Sequence, residues 1–147
     1  MGARILVVDD DARMRTLMQR VLTAAGHEVI ACADGTSGLR AICDQIPDVL
    51  CLDLQIPGMS GVDIARRVRE DLHDQAPPIV LLSASLEDLS AEEEGLFDAT
   101  LAKPFKLDEI RSLVERLALA ASKRRKRSGS RLAAVAAPEE DDSSAVG

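Results

Sequence analysis

Hydrophobic positions along the chain fall into two patterns that alternate. Short apolar runs, Arg4 to Val8, Glu28 to Cys32, Val49 to Leu52, Pro78 to Leu82 and Thr100 to Ala102, have the length and composition of buried strands. Between them apolar residues return every three or four positions, as on one face of a helix. The first such set is Met14, Leu17, Met18, Val21, Leu22 and Ala25, and the second is Leu39, Ile42, Cys43 and Ile46. Ile64, Ala65 and Val68 mark a third helix from about Gly61, while Leu107, Ile110, Leu113, Val114, Leu117, Ala118 and Ala121 mark a long last one. Gly26 and Pro47 stand where the first two helices should stop. The segment after Leu82 is weaker. Ser85 with Asp88 three residues on predicts a helix N-terminus, but the spacing fades after Leu86 and Leu89 into Glu92-Glu93-Glu94-Gly95.

Five strand-helix units with right-handed crossovers make an α/β fold, a doubly wound five-stranded parallel sheet covered on both faces. The flavodoxin-like strand order 2-1-3-4-5 places the first and third strands side by side. One domain over residues 1–122 accommodates all of it. Beyond it the chain turns to KRRKR, Ser-Gly-Ser, Ala-Pro and an acidic run, with no apolar repeat to build a core. Residues 123–147 are therefore expected to be a disordered charged tail. No helix-turn-helix pattern follows the domain.

Composition narrows the function. Hydrophobic residues make up 46% and aromatic ones 1%, so the core is aliphatic, helped by Phe97 and Phe105, and the composition argues against stacking on bases. The net charge of −7 divides into −9 over residues 1–122 and +2 over the tail, where Lys123 to Arg127 and Arg131 outnumber four acids. A body that acidic repels phosphate backbones, which argues against nucleic acid as a partner of the globular part. Cys32, Cys43 and Cys51 are odd in number and lack C-x-x-C spacing, and they read as core thiols in a reducing compartment. The chain shows no signal peptide or long apolar span, and Leu6 stands where a myristoylation motif needs Ser or Thr. A cytoplasmic protein without a membrane partner is expected.

The chemistry lies at the strand ends. The first strand ends in Asp9 and Asp10, the third in Asp53, the fourth in Ser83 and the fifth in Lys103. In an open parallel sheet, carboxyl ends of strands are where ligand groups gather. Two carboxylates about 4 Å apart repel by roughly 4 kcal/mol at an effective dielectric of 20, so three of them call for a cation. Mg²⁺ suits, since it takes one or two carboxylates, keeps water and leaves places for phosphate oxygens. Asp9 and Asp10 are its candidate ligands, with Asp53 as a third. Asp53 is also the best candidate nucleophile, forming an aspartyl phosphate while Lys103 offsets charge and Ser83 donates a hydrogen bond. Taken singly, each of these residues has an ordinary role as a cap, a turn former or a surface lysine. Their joint placement is the specific signal.

These segments resemble the receiver domains of two-component response regulators, including the stand-alone chemotaxis type, over about residues 3–121. ILVVDDD is similar to the family's acidic opening, LDLQIPGMSG to its phosphoacceptor segment, LLSAS to its Ser/Thr strand end and LAKPF to its lysine-proline motif. The resemblance implies that Asp53 accepts phosphate from a histidine kinase or histidine phosphotransfer protein. It implies Mg²⁺ held directly by Asp10, mainly through water by Asp9, and by the backbone carbonyl of Gln55. Ser83 and Lys103 would bind the phosphoryl group, the Lys103-Pro104 bond would be cis, and output would pass to a downstream signalling protein. On this reading the chain is a signalling phosphoacceptor, not an enzyme.

Two departures bear on output. Thr100 stands where the family carries Tyr or Phe, and the interval from Ser83 to Lys103 is shorter than usual. Both raise the alternative of a receiver-like binding module that works without phosphorylation. A haloacid-dehalogenase-type phosphatase needs a second acid where this chain has Gln55, and a P-loop or dinucleotide enzyme needs glycines where Asp9, Asp10 and Asp11 stand.

Overall fold

The computed structural model describes residues 2–136, with side chains through Lys123. Five strands, β1 (Arg4–Val8), β2 (Glu28–Cys32), β3 (Val49–Asp53), β4 (Ile79–Ser83) and β5 (Ala99–Ala102), alternate with helices. The helices are α1 (Ala12–Ala24), α2 (Gly35–Asp44), α3 (Gly61–Leu72), α4 (Ala91–Glu94) and α5 (Leu107–Ala136). The sheet is wholly parallel in the order β2-β1-β3-β4-β5, as the alternation predicts.

Period-two alternation sends neighbouring residues of each central strand to opposite faces. Leu6, Val8, Leu50, Leu52, Ile79 and Leu81 pack with Ile42 of α2 and Ile64, Ala65 and Val68 of α3. Ile5, Val7, Cys51, Val80 and Leu82 pack with Met18 and Leu22 of α1 and Ile110, Val114 and Ala118 of α5. The first four residues of β1 after Arg4, and of β3 before Asp53, are buried without exception. Fully burying a Val, Leu or Ile side chain contributes about 1.5–3 kcal/mol, so the three central strands and the helix faces packed on them hold the fold together.

Local chemistry sets the ends that matter for the site. Asp11 caps α1 by accepting from the Arg13 N–H at 2.9 Å, and Ser60 caps α3 in a reciprocal box with Asp63. Gly61 is required by proximity. A Cβ there would lie 2.3 Å from the Asp53 carbonyl oxygen, and its N–H donates to the Leu54 carbonyl at 2.8 Å.

Several expectations need correction. Ser85 does not cap the fourth helix: its hydroxyl bonds the Asp88 carboxylate, and α4 is a single turn begun five residues later, where Ser90 and Glu93 form the capping box. Of the three thiols only Cys51 is a core residue, its acidity suppressed by burial to a pKa of about 12. Cys32 is half-buried and Cys43 is exposed, because α2 turns it away from the sheet. Ile46 lies beyond the end of α2 and is exposed, as is Leu17 on α1. Apart from these corrections, the fifth helix continues to Ala136. Residues 123–136 are rich in Lys, Arg and Ala, all strong helix formers, and helical propensity continues where the apolar spacing stops. The rest of the expected disordered tail lies outside the described residues.

Candidate functional site

Strand order brings the predicted residues to one end of the sheet. β1 lies between β2 and β3, with Val8 opposite Leu52, so Asp9 and Asp53 leave adjacent strands at the same level. Oxygens of Asp9, Asp10 and Asp53 all lie within 4.8 Å of one another. The three differ in setting: Asp9 is fully buried, Asp53 keeps 15% of its side chain exposed, and Asp10 is exposed.

Asp9 is held on every side. Its N–H donates to the Cys32 carbonyl at 3.0 Å, and its carbonyl accepts from Arg15 Nη1 at 2.9 Å. Oδ1 accepts from the Asp11 N–H at 2.9 Å, and Oδ2 from Lys103 Nζ at 2.9 Å. Lys103 Nζ also lies 3.4 Å from Asp53 Oδ2, so one ammonium bridges the two carboxylates across β1, β3 and β5. It gets there because the Lys103 N–H donates to the Ser83 carbonyl at 2.8 Å, extending the β4–β5 ladder by one bond before the cis Lys103-Pro104 peptide turns the chain.

The charges respond to this crowding. Burial, reinforced by the charge of Asp9, pushes the Asp53 carboxyl above the usual carboxylate range, with Lys103 pulling against both. Burial alone would lower the Lys103 ammonium, but its hydrogen bond to Asp9 and the charges of Asp9 and Asp53 outweigh that and raise it. Lys103 therefore stays charged through the neutral range.

Ser83 is buried at the end of β4, beside Ala102 in the register. Its hydroxyl accepts from the Ser85 N–H at 3.1 Å and donates to the Ser85 carbonyl at 3.4 Å, so it faces its own loop and not the carboxylates. Gln55 is exposed, on the rim of an open cleft of about 500 Å³ that Asp10, Leu54, Ile56, Pro57 and Ser60 also line. Thr100 is exposed on β5. The structure thus joins Asp9, Asp10, Asp53 and Lys103 directly, with Ser83 and Gln55 on the flanks.

Sequence reasoning missed two contributors. Arg15 sits one helical turn beyond Asp11, and only its position on the first turn of α1 pointed toward the acids. Gly61 was read as a helix start, although a glycine eight residues after a strand-end acid is also what a close return of the chain requires.

Comparison with known proteins agrees with this geometry. The family model for the response regulator receiver domain matches residues 5–115. The DNA-binding response regulator MtrA of Mycobacterium tuberculosis is 39% identical over 112 residues, which are 75% of this chain and 48% of MtrA. This chain thus spans about half the length of that relative. Among solved structures, NtrX from Brucella abortus superposes with a TM-score of 0.77 at 29% identity, over 87% of this chain and 30% of NtrX. TrrA from Thermotoga maritima, solved in complex with Mg²⁺-BeF, gives 0.72 at 31% identity, over 80% of this chain and 99% of TrrA. The chain belongs to the response regulator receiver domain family.

Proposed function

We propose that this receiver domain takes up a phosphoryl group on Asp53, in a reaction that needs Mg²⁺, from a histidine kinase or histidine phosphotransfer protein. The observation that carries the proposal is the bridging ammonium: Lys103 stands 2.9 Å from Asp9 and 3.4 Å from Asp53, where three carboxylates converge on one point.

The donor set fits Mg²⁺. It consists of hard carboxylate oxygens, all within 4.8 Å of one another, the ligand type that Mg²⁺ takes, with places left over for water and phosphate oxygens. Asp9 and Asp10, with the Gln55 carbonyl, are the proposed ligands alongside Asp53. The ion would neutralise charge on the phosphoryl oxygens. TrrA, with its Mg²⁺-BeF, supports this assignment by its likeness to the chain.

In the transfer, an Asp53 carboxylate oxygen forms a bond to phosphorus as the phosphorus–nitrogen bond of the donor's phosphohistidine breaks, leaving an aspartyl phosphate and a free imidazole. Lys103 holds its positive charge against the transferred group. Ser83 then turns from Ser85 to donate its hydroxyl to a phosphoryl oxygen.

Output passes to a downstream signalling protein through protein contact. The body of the chain has a charge of −9 over residues 1–122, which opposes nucleic acid there. Among the described residues no helix is long and apolar enough to cross a membrane, and a cytoplasmic location fits the free cysteines.

Incubation with Mg²⁺ and a small phosphodonor tests the proposal. Wild type should gain one acid-labile phosphoryl group, and Asp53→Asn none. Equal labelling of the variant, or full labelling in excess chelator, defeats the assignment. No uptake by wild type would leave the receiver fold as a binding module that works without phosphate.

A further inference from the structure

The three acids in a row at the end of β1 do different work, and Asp10 is the least supported. Asp9 is buried with both carboxylate oxygens engaged, and Asp11 caps α1. Asp10 is exposed, and among the described residues its carboxylate makes no hydrogen bond or ion pair. With no side-chain partner to hold it, its position depends on the backbone that carries it, beginning with the Asp9–Asp10 peptide.

Among the described residues that peptide has one side-chain hydrogen bond. Arg15, half-buried on the first turn of α1, reaches back and donates Nη1 to the Asp9 carbonyl at 2.9 Å, while its own N–H is fixed to the Asp11 carbonyl at 3.0 Å. The same positive charge opposes the upward push that burial and Asp34 give the Cys32 thiol. With the Asp9 N–H tied to Cys32 and the Asp9 carbonyl tied to Arg15, the turn is fixed before and after the Asp9 side chain.

We infer that Arg15 is a positioning residue for the cation site: by holding the Asp9–Asp10 peptide it aims the Asp10 carboxylate at the oxygens of Asp9 and Asp53. The inference rests on the metal reading proposed above. A hydrogen bond from a charged donor to a backbone carbonyl is among the stronger ones, and partners that orient ligands commonly govern metal affinity by tenfold or more. A bare charge would act in the opposite direction. A cation near the site repels Mg²⁺, so removing it would tighten binding if charge were all that Arg15 supplied.

The two roles separate in Mg²⁺ titrations of the full chain by calorimetry, paired with thermal unfolding in chelator. Arg15→Met should bind Mg²⁺ about tenfold more weakly, with its melting temperature in chelator close to wild type. Arg15→Lys, which keeps a donor of similar reach, should recover most of the affinity. Unchanged or tighter binding by Arg15→Met overturns the inference. Should Arg15→Met fail to fold, Arg15→Gln decides, since it removes the charge and keeps a shorter donor: weaker binding than wild type supports positioning, and equal or tighter binding overturns it. Wild type that binds Mg²⁺ without taking up phosphate defeats only the phosphoacceptor proposal. Wild type that binds no Mg²⁺ defeats the metal reading and this inference with it.

Discussion

Lys103 holds together carboxylates that would otherwise repel, and its removal exposes what each contributes. Lys103→Met leaves the buried Asp9 without its cation, which should cost about 3 kcal/mol in urea unfolding without Mg²⁺. Added Mg²⁺ should narrow that loss by supplying charge from the other side, and an undiminished loss would show that the ion binds elsewhere. Asp53 works the other way. Its carboxyl is raised in the folded chain, so between its unfolded and folded values the native state binds more protons and stability falls as pH rises. Above that window the ionised Asp53 is a standing cost. Asp53→Asn should therefore be more stable at neutral pH by about 1 kcal/mol, a few degrees in melting temperature, and should lose this part of the pH slope. The Lys103 contribution is complete below 10.5 and disappears only as pH rises through its raised value, so alkaline unfolding is where it shows. From sequence, the chemistry of these residues was legible because each ends an apolar run. The division of labour among Asp9, Asp10 and Asp11 was not, since three identical side chains carry no sign of which is buried, which is exposed and which caps.

Elements with strong periodicity were also legible, and the failure at α4 shows why. Leu86 and Leu89 follow Ser85 at helical spacing, but they pack against the α3 side of the core from a turn, and the helix begins only where Ser90 and Glu93 complete a reciprocal cap. The Ser-Ala-Glu-Glu signal was present at the better site, and the apolar spacing favoured the wrong serine. Ser90→Ala should cost about 1 kcal/mol and reduce amide protection over residues 91–95, whereas Ser85→Ala should leave those amides unchanged. Equal effects would mean that α4 is not held by its cap. Two arginines of α3 tie this region down. Arg66 pairs with Glu92 at 2.7 Å, and Arg69 donates to the Leu96 carbonyl from Nε and Nη2 and reaches Asp98 at 2.8 Å. Asp98 accepts from the Ile79 N–H as well, so the entry to β4 and the exit from α4 share one carboxylate. With Thr100 exposed and no ring on β5, these ties join the fourth segment to α3, while the Ser83–Ser85 hydrogen bonds join it to the site.

Across the whole molecule, Ala121 is the last buried apolar residue among those whose side chains are described, and the helix that continues to Ala136 contains six basic residues beyond it. A chain ending at Lys123 should melt within a few degrees of the full chain and bind Mg²⁺ equally well. A large loss would show that residues beyond the proposed 1–122 domain pack on it. The acidic body and basic extension were readable from charge counts, but the helical course of residues 123–136 was not, because propensity without apolar spacing leaves no packing face to detect. One joint governs how such a body can change shape. No side chain fits between Gly61 and the Asp53 carbonyl, so β3 and the start of α3 are locked to each other. In mechanical terms, sheet and α3 form a stator. Residues 84–98, mostly exposed and secured to it by Arg66 and Arg69, form an arm that a change of charge at Asp53 should move before it moves α3.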